Sequence, residues 1–183
     1  MKKHWFAALP LLLLLLFAPA LASALEVGAP APDFKLKNLD GKEVRLSDYK
    51  GQFVILKLAT TWCPTCKQQM QEFNECRDFL KENNVQIIDV YVQDSPAMVK
   101  DHVGTLSENL PYVPLVDDGS ALKAYNVYLI PRVLVIDPDM KVQRDGSLIN
   151  AYDLRLKIKD LMKARAKTQK AAEEKAKAAE SKE

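Results

Sequence analysis

The period of the apolar positions changes along the chain, and each change predicts an element. Phe34 and Leu36, then Val44 and Leu46, alternate with polar residues on either side of Asp40-Gly41, which predicts a β-hairpin turning there. Phe53–Leu58 is an apolar run broken only by Lys57, the pattern of a strand buried on both faces. From Cys66 the spacing becomes helical, with Met70, Phe73, Phe79 and Leu80 in a stripe that stops at Asn83-Asn84. Val85–Val92 reads again as a buried strand. Ser95 and Pro96 have the form of a helix cap and first turn, predicting a helix that runs to Glu108.

A short strand, Val113–Val116, and a short helix, Ala121–Tyr125, are expected next. Arg132–Ile136 then reads as a strand that turns at Asp137-Pro138-Asp139 into a partner, Lys141–Arg144. An amphipathic helix, Ala151–Met162, closes the pattern with Leu154, Ile158 and Leu161 on one face. This order predicts a mixed α/β sheet covered on both faces, with a right-handed parallel crossover in its first half. After Met162 only Ala, Lys, Arg, Glu, Gln, Thr and Ser occur, so residues 163–183 are expected to be a solvated helical extension or a frayed tail.

The chain opens with Met1-Lys2-Lys3, an apolar run centred on Leu11–Leu16, and the small residues Ala22-Ser23-Ala24, the layout of a secretory signal peptide. Pro10 and Pro19 shorten the apolar run below a comfortable bilayer span. Cleavage is expected after Ala24, with Ala22 as the second choice; an uncleaved N-terminal anchor is the competing reading. Residues 1–24 would then be the signal, 25–162 one domain, and 163–183 the charged tail. The location implied is periplasmic or otherwise extracytoplasmic.

Residues 1–24 carry two lysines and no acid, so the remainder has 24 basic and 24 acidic side chains. No global positive field is left to attract nucleic acid. Three cysteines are too few for a disulfide framework, and two of them, Cys63 and Cys66, stand three residues apart.

That spacing lies where the first buried strand meets a helix N-terminus, in Ala59-Thr60-Thr61-Trp62-Cys63-Pro64-Thr65-Cys66-Lys67. Unpaired N–H groups and a partial positive charge at a helix start favour a thiolate, the form that attacks a disulfide. Cys63 is assigned as the attacking thiol and Cys66 as the resolving one. Pro64 suits the first helical turn because it has no N–H to leave unpaired. A structural zinc needs four ligands, and after residue 24 only Cys76 and His102 could join the pair. No cofactor or metal is expected, although a two-coordinate soft-metal site stays open.

With these motifs in view, the chain resembles the TlpA/ResA-type branch of the thioredoxin superfamily, from about Val27 to about Met162. The resemblance rests on Val27-Gly28 with Ala31-Pro32-Asp33-Phe34, on Gly41-Lys42-Glu43-Val44 with Leu46–Gly51, on Ala59–Cys66, and on Ala124-Tyr125-Asn126-Val127 with Ile130-Pro131 and Val135-Ile136-Asp137. It implies a thioredoxin fold with an N-terminal β-hairpin extension and one helical insertion between central strands. It also implies a reductant for cysteine pairs in exported proteins such as apocytochromes c. The partners implied are those disulfide-containing proteins and a membrane thiol-reductant donor of the DsbD/CcdA kind, and a monomer is expected. A cis-proline opposite the cysteine pair is implied at Pro131, with Ile130 pairing its backbone with substrate; Trp62 and Pro64 complete the implied substrate-binding set.

Some positions depart from the family. Gln69 stands where ResA-type proteins carry a Glu, and it cannot accept a proton. The buried Asp and Lys of thioredoxin correspond here to Lys57 and Asp89, so a charge-reversed pair that serves proton transfer is one reading. Lys57 facing solvent at a strand edge is the other. Arg132 either favours a thiolate at Cys63 or extends outward. Cys76 falls off the helical face of the active pair and is expected to be a buried structural thiol. His102 resembles no family catalytic residue, and a surface role is expected.

Two rival functions follow. A peroxiredoxin-like peroxidase would use Thr60, three residues before Cys63, with Arg132 as the only nearby candidate for its arginine, but Leu56 occupies the place of the upstream Pro. A copper or haem chaperone of the Sco type would use CxxxC, where this chain has CxxC.

Overall fold

The computed structural model describes residues 25–106 and 110–180. Residues 1–24, where the signal is expected, the C-terminal end of the helix expected to reach Glu108, and the last three residues lie outside the described residues. Seven strands form one sheet: β1 (Lys35–Asn38), β2 (Glu43–Arg45), β3 (Val54–Ala59), β4 (Gln86–Tyr91), β5 (Tyr112–Val116), β6 (Arg132–Ile136) and β7 (Val142–Gly146). Their order is β2-β1-β5-β4-β3-β6-β7. The β3–β4 and β4–β5 pairs are parallel, and β1–β2, β1–β5, β3–β6 and β6–β7 are antiparallel. The two strands read as buried on both faces thus occupy the middle of the sheet, flanked by β5 and β6.

Alternate residues of β3 and β4 serve different cores. Val54, Leu56 and Leu58 join Ile88 and Val90 in one apolar cluster, completed by Phe34, Leu36, Leu46, Ala121 and Tyr125. Ile55 and Ile87 face the other side, against Met70, Phe73, Leu80, Leu154 and Ile158. Fully burying each of these Leu, Ile and Phe side chains contributes about 1.5–3 kcal/mol, so neither layer is dispensable. Among the described residues, five α-helices supply the layers: α1 (Pro64–Glu75), α2 (Arg77–Glu82), α3 (Pro96–Val103), α4 (Ser120–Ala124) and α5 (Ala151–Glu180).

The expected hairpin is present, with Gly41 at φ +78° and Asn38 Oδ1 accepting from the Asp40 and Lys42 amides. Ser95 caps α3, its hydroxyl accepting from Met98 N at 3.3 Å. The stripe after Cys66 is two helices rather than one. Cys76, at φ −112° and ψ 14°, leaves the helical region and breaks the ladder between α1 and α2. Helix α3 ends at Val103, and α5 continues well beyond Met162. Among the described residues, 163–178 are exposed except for partly covered Arg165.

Candidate active site

The site grows from the C-terminal end of β3. Thr61 leaves the strand pinned by Asp94, whose carboxylate accepts from Thr61 N at 2.8 Å and Thr61 Oγ1 at 3.0 Å, all of it buried. This clamp ties the Thr60–Trp62 turn to the loop after β4 and sets where α1 begins. Cys63 is the N-cap of α1 and Pro64 its first residue. Cys66 N donates to Cys63 Sγ at 3.2 Å, so a helix-start donor points at the outer sulfur, where it favours negative charge.

Both thiols are free and nearly shielded from solvent, at 7% exposure for Cys63 and 2% for Cys66. They pack with Ala59 and with the half-buried Ile130. The Ile130–Pro131 peptide bond is cis, and it is Ile130 that packs against the cysteine pair. Around the buried sulfurs the surface is open: Trp62 is 61% exposed, Tyr128 60% and Leu129 72%, with Pro64 and Thr65 also exposed. A shallow cavity of about 150 Å³ lies beside Pro131, lined by Tyr128, Leu129, Arg132 and Asp145 among others.

The two sulfurs are not equivalent. Burial pushes the Cys66 thiol up to about 12; the Cys63 side chain adds to the rise, while the Thr60 backbone and the Lys57 ammonium oppose it. Cys66 therefore holds its proton until a base takes it.

Lys57 lies on the same face of β3 as Ala59, and its strand-register partner on β4 is Asp89. Lys57 Nζ is 2.7 Å from Asp89 Oδ2, with side chains 1% and 0% exposed. This settles the choice between a buried pair and a solvent-facing lysine. The same Oδ2 accepts from Tyr112 Oη at 3.0 Å, and Tyr112 Oη is 2.7 Å from Tyr91 Oη. Burial, reinforced by Asp89, pushes both phenols far above their ordinary range, so they serve as donors. Asp89 Oδ1 has no hydrogen-bond partner.

Arg132 corrects an expectation, because it neither faces Cys63 nor extends into solvent. Its Nε donates to Asp145 Oδ1 at 2.9 Å and its Nη2 pairs with Asp145 Oδ2, while Nη1 donates to Tyr125 O. The fork geometry of guanidinium and carboxylate fixes it across to β7. Gln69 is fully buried: its Nε2 donates to Ile149 O at 3.0 Å, and Ile149 N donates to its Oε1 at 2.8 Å. His102 is half-buried rather than free on the surface, edge-on to Tyr91 at 5.7 Å, and burial holds its imidazole below the usual range. Cys76 is buried in the helical layer, its thiol pushed up to about 11 by that burial.

Sequence reasoning missed Thr61, Asp94, Tyr91, Tyr112 and Asp145 as supports of this site. Each acts through a partner distant in the chain or on another strand, and none carries a local signal.

The chain matches the AhpC/TSA family over residues 27–145. It is 35% identical over 118 residues to thiol-disulfide oxidoreductase ResA of Bacillus thuringiensis subsp. konkukian, covering 64% of this chain and 68% of that one. It is 32% identical over 155 residues to ResA of Geobacillus thermodenitrificans, covering 79% of this chain and 88% of that one. Among solved structures, the thioredoxin domain of a thiol-disulfide oxidoreductase from Bacteroides vulgatus aligns with a TM-score of 0.65 at 20% identity, over 75% of this chain and 99% of that one. A thiol:disulfide interchange protein from Bacteroides sp. aligns at 0.66 and 21% identity, over 75% and 91%. These two likenesses show the fold, and the ResA relatives are named thiol-disulfide oxidoreductases. The chain belongs to the AhpC/TSA family and, within the thioredoxin superfamily, is a thiol–disulfide oxidoreductase of the TlpA/ResA type.

Proposed function

We propose that the protein acts outside the cytoplasm as a reductant of disulfides in exported proteins, apocytochromes c among them, through a Cys63/Cys66 dithiol–disulfide cycle. The observation that carries this reading is the asymmetry of the pair. Cys63 caps a helix and receives the Cys66 N–H, while Cys66 lies deeper and holds its proton. Cys63 thiolate attacks one sulfur of the substrate disulfide, forming a mixed disulfide and releasing the other sulfur as a thiolate. Cys66 then gives up its proton, and its thiolate attacks Cys63 Sγ, expelling the second substrate thiolate. Two electrons have passed to the substrate, and Cys63–Cys66 is left oxidised for a membrane thiol donor to reduce.

Asp89 is the proton acceptor in this scheme, through its unpartnered Oδ1 or a water bound there. Trp62, Pro64, Ile130 and cis Pro131 receive the substrate backbone around the target disulfide, and exposed Tyr128 and Leu129 extend that surface. The peroxidase alternative is less well served, since Arg132 is committed to Asp145 and Thr60 Oγ1 is buried without a partner.

A Cys66→Ser chain should trap substrate on Cys63, and Cys63→Ser should abolish reduction of insulin or of a mixed disulfide. Mass spectrometry locates the adduct; an adduct on Cys76, or rapid peroxide consumption by the wild-type chain, would overturn the reading.

A further inference from the structure

The first described residue, Leu25, makes a contact that its position in the chain gives meaning. Its backbone nitrogen donates to Asp145 Oδ2 at 2.6 Å. Asp145 is no ordinary surface acid: its side chain is 3% exposed, and its carboxylate already grips Arg132 from both oxygens. The segment that delivers Leu25 is fixed along the entry to β7. Gly28 N donates to Val142 O at 2.7 Å, Val142 N to Ala29 O at 2.9 Å, and Ala31 N to Met140 O at 2.8 Å. The Leu25 side chain is half-buried against the core that includes Leu36 and Val142. One defined atom therefore meets the carboxylate, and the bond preceding it is Ala24–Leu25, the junction at which the sequence pattern places signal cleavage.

We propose that Asp145 is the seat of the mature chain's own α-ammonium. Hydrolysis of the Ala24–Leu25 bond leaves the new carboxylate on Ala24 and the amine on Leu25. That amine takes up a proton at neutral pH, because α-amino groups titrate near ~7.7–8.0. An amide donor becomes a cation on the same oxygen, and an Arg132–Asp145–ammonium cluster is completed. Arg132 directly follows cis Pro131 and also holds Tyr125 O, so processing at the chain's start fastens the segment that faces the cysteine pair. The stabilisation is modest, since two cations share one carboxylate and Leu25 is partly open to water. The proposal rests on the export reading above, and the test separates the two.

Intact mass of the exported protein should give Leu25 as its first residue. A chain starting at Ser23 would overturn the proposal while leaving export intact, and an uncleaved chain retained in the cytoplasm would overturn both. Docking is tested without export, on a chain released from a fusion by a site-specific protease so that it begins with Leu25. Beside it stand a chain beginning with Ala24, which keeps Asp145 but moves the charge one residue outward, and an Asp145→Asn variant. The α-amine of the Leu25-first chain should be acylated roughly tenfold more slowly than in either comparison, the change that one pKa unit produces. Its thermal midpoint should exceed that of the Ala24-first chain by on the order of 2–4 °C for a chain of this size. Equal acylation rates in the Leu25-first and Ala24-first chains overturn the docking, whether or not Asp145→Asn folds.

Discussion

Lys57 and Asp89 meet at 2.7 Å between neighbouring parallel strands, with neither side chain in contact with solvent. Two charges so placed are worth little to stability as a pair, because desolvation offsets their attraction, but each is costly without the other. Lys57→Met or Asp89→Leu alone should destabilise by about 3–5 kcal/mol, and the double variant by much less. Urea unfolding of the three chains measures the coupling. Small, additive effects would show that the residues do not act as a unit, and the proton-acceptor role of Asp89 would fall with them.

Cys66 carries a pH signature. Burial pushes its folded thiol up to about 12, whereas an unfolded cysteine titrates near ~8.5. The folded state thus binds more protons across that window, and the contribution is full below the unfolded value and lost as pH rises towards the folded one. Reduced protein should lose stability from pH ~8.5 up towards about 12 more steeply than oxidised protein, which has no Cys66 thiol to titrate. Denaturant midpoints of the two forms at each pH give the comparison; parallel curves would contradict the buried, protonated Cys66.

Much of this was legible in the residues, for identifiable reasons. Apolar runs long enough to be buried on both faces located β3 and β4, and Asp40-Gly41 located the hairpin, because each signal is local. The placing of the CxxC at a strand-to-helix junction was legible for the same reason. The break at Cys76 was not legible, since the stripe from Phe73 to Leu80 continues through it and only a backbone angle differs. Arg132 was misread because its partner, Asp145, stands on the adjacent strand β7, near an irregularity in the β6–β7 register. The direction of Lys57 depended on β6 covering the far side of β3, which is tertiary information.

Gln69 is explained by a backbone clamp rather than by proton chemistry. Both its amide atoms are used by Ile149, so Gln69→Ala orphans a buried donor and a buried acceptor, at about 1–3 kcal/mol for each. Gln69→Glu should not restore the loss, because a carboxylate presents a second acceptor to Ile149 O. Thermal midpoints of the two variants decide this, and a Glu chain as stable as wild type would show that the clamp is not needed.

Cys76→Ala should leave disulfide reduction unchanged and cost on the order of 1 kcal/mol, as a buried thiol donating to Glu72 O and Phe73 O is removed. Turnover of the variant measured alongside its unfolding curve separates the two effects. Lost turnover with unchanged stability would make Cys76 a third redox residue.

Helix α5 has one further consequence, in the physics of helix growth. Its first turns are docked through Ala151, Leu154 and Ile158, while residues 166–178 are exposed. Starting a helix is unfavourable and extending one is nearly neutral, so the docked turns act as a nucleus from which the alanine-rich remainder only propagates. Pairs such as Glu173 and Lys177, four residues apart with the acid first, add a few tenths of a kcal/mol each. The outer turns therefore melt gradually from the free end, without a transition of their own. In far-ultraviolet circular dichroism the native state should lose helical signal steadily on warming, while the sheet and its cysteines stay folded.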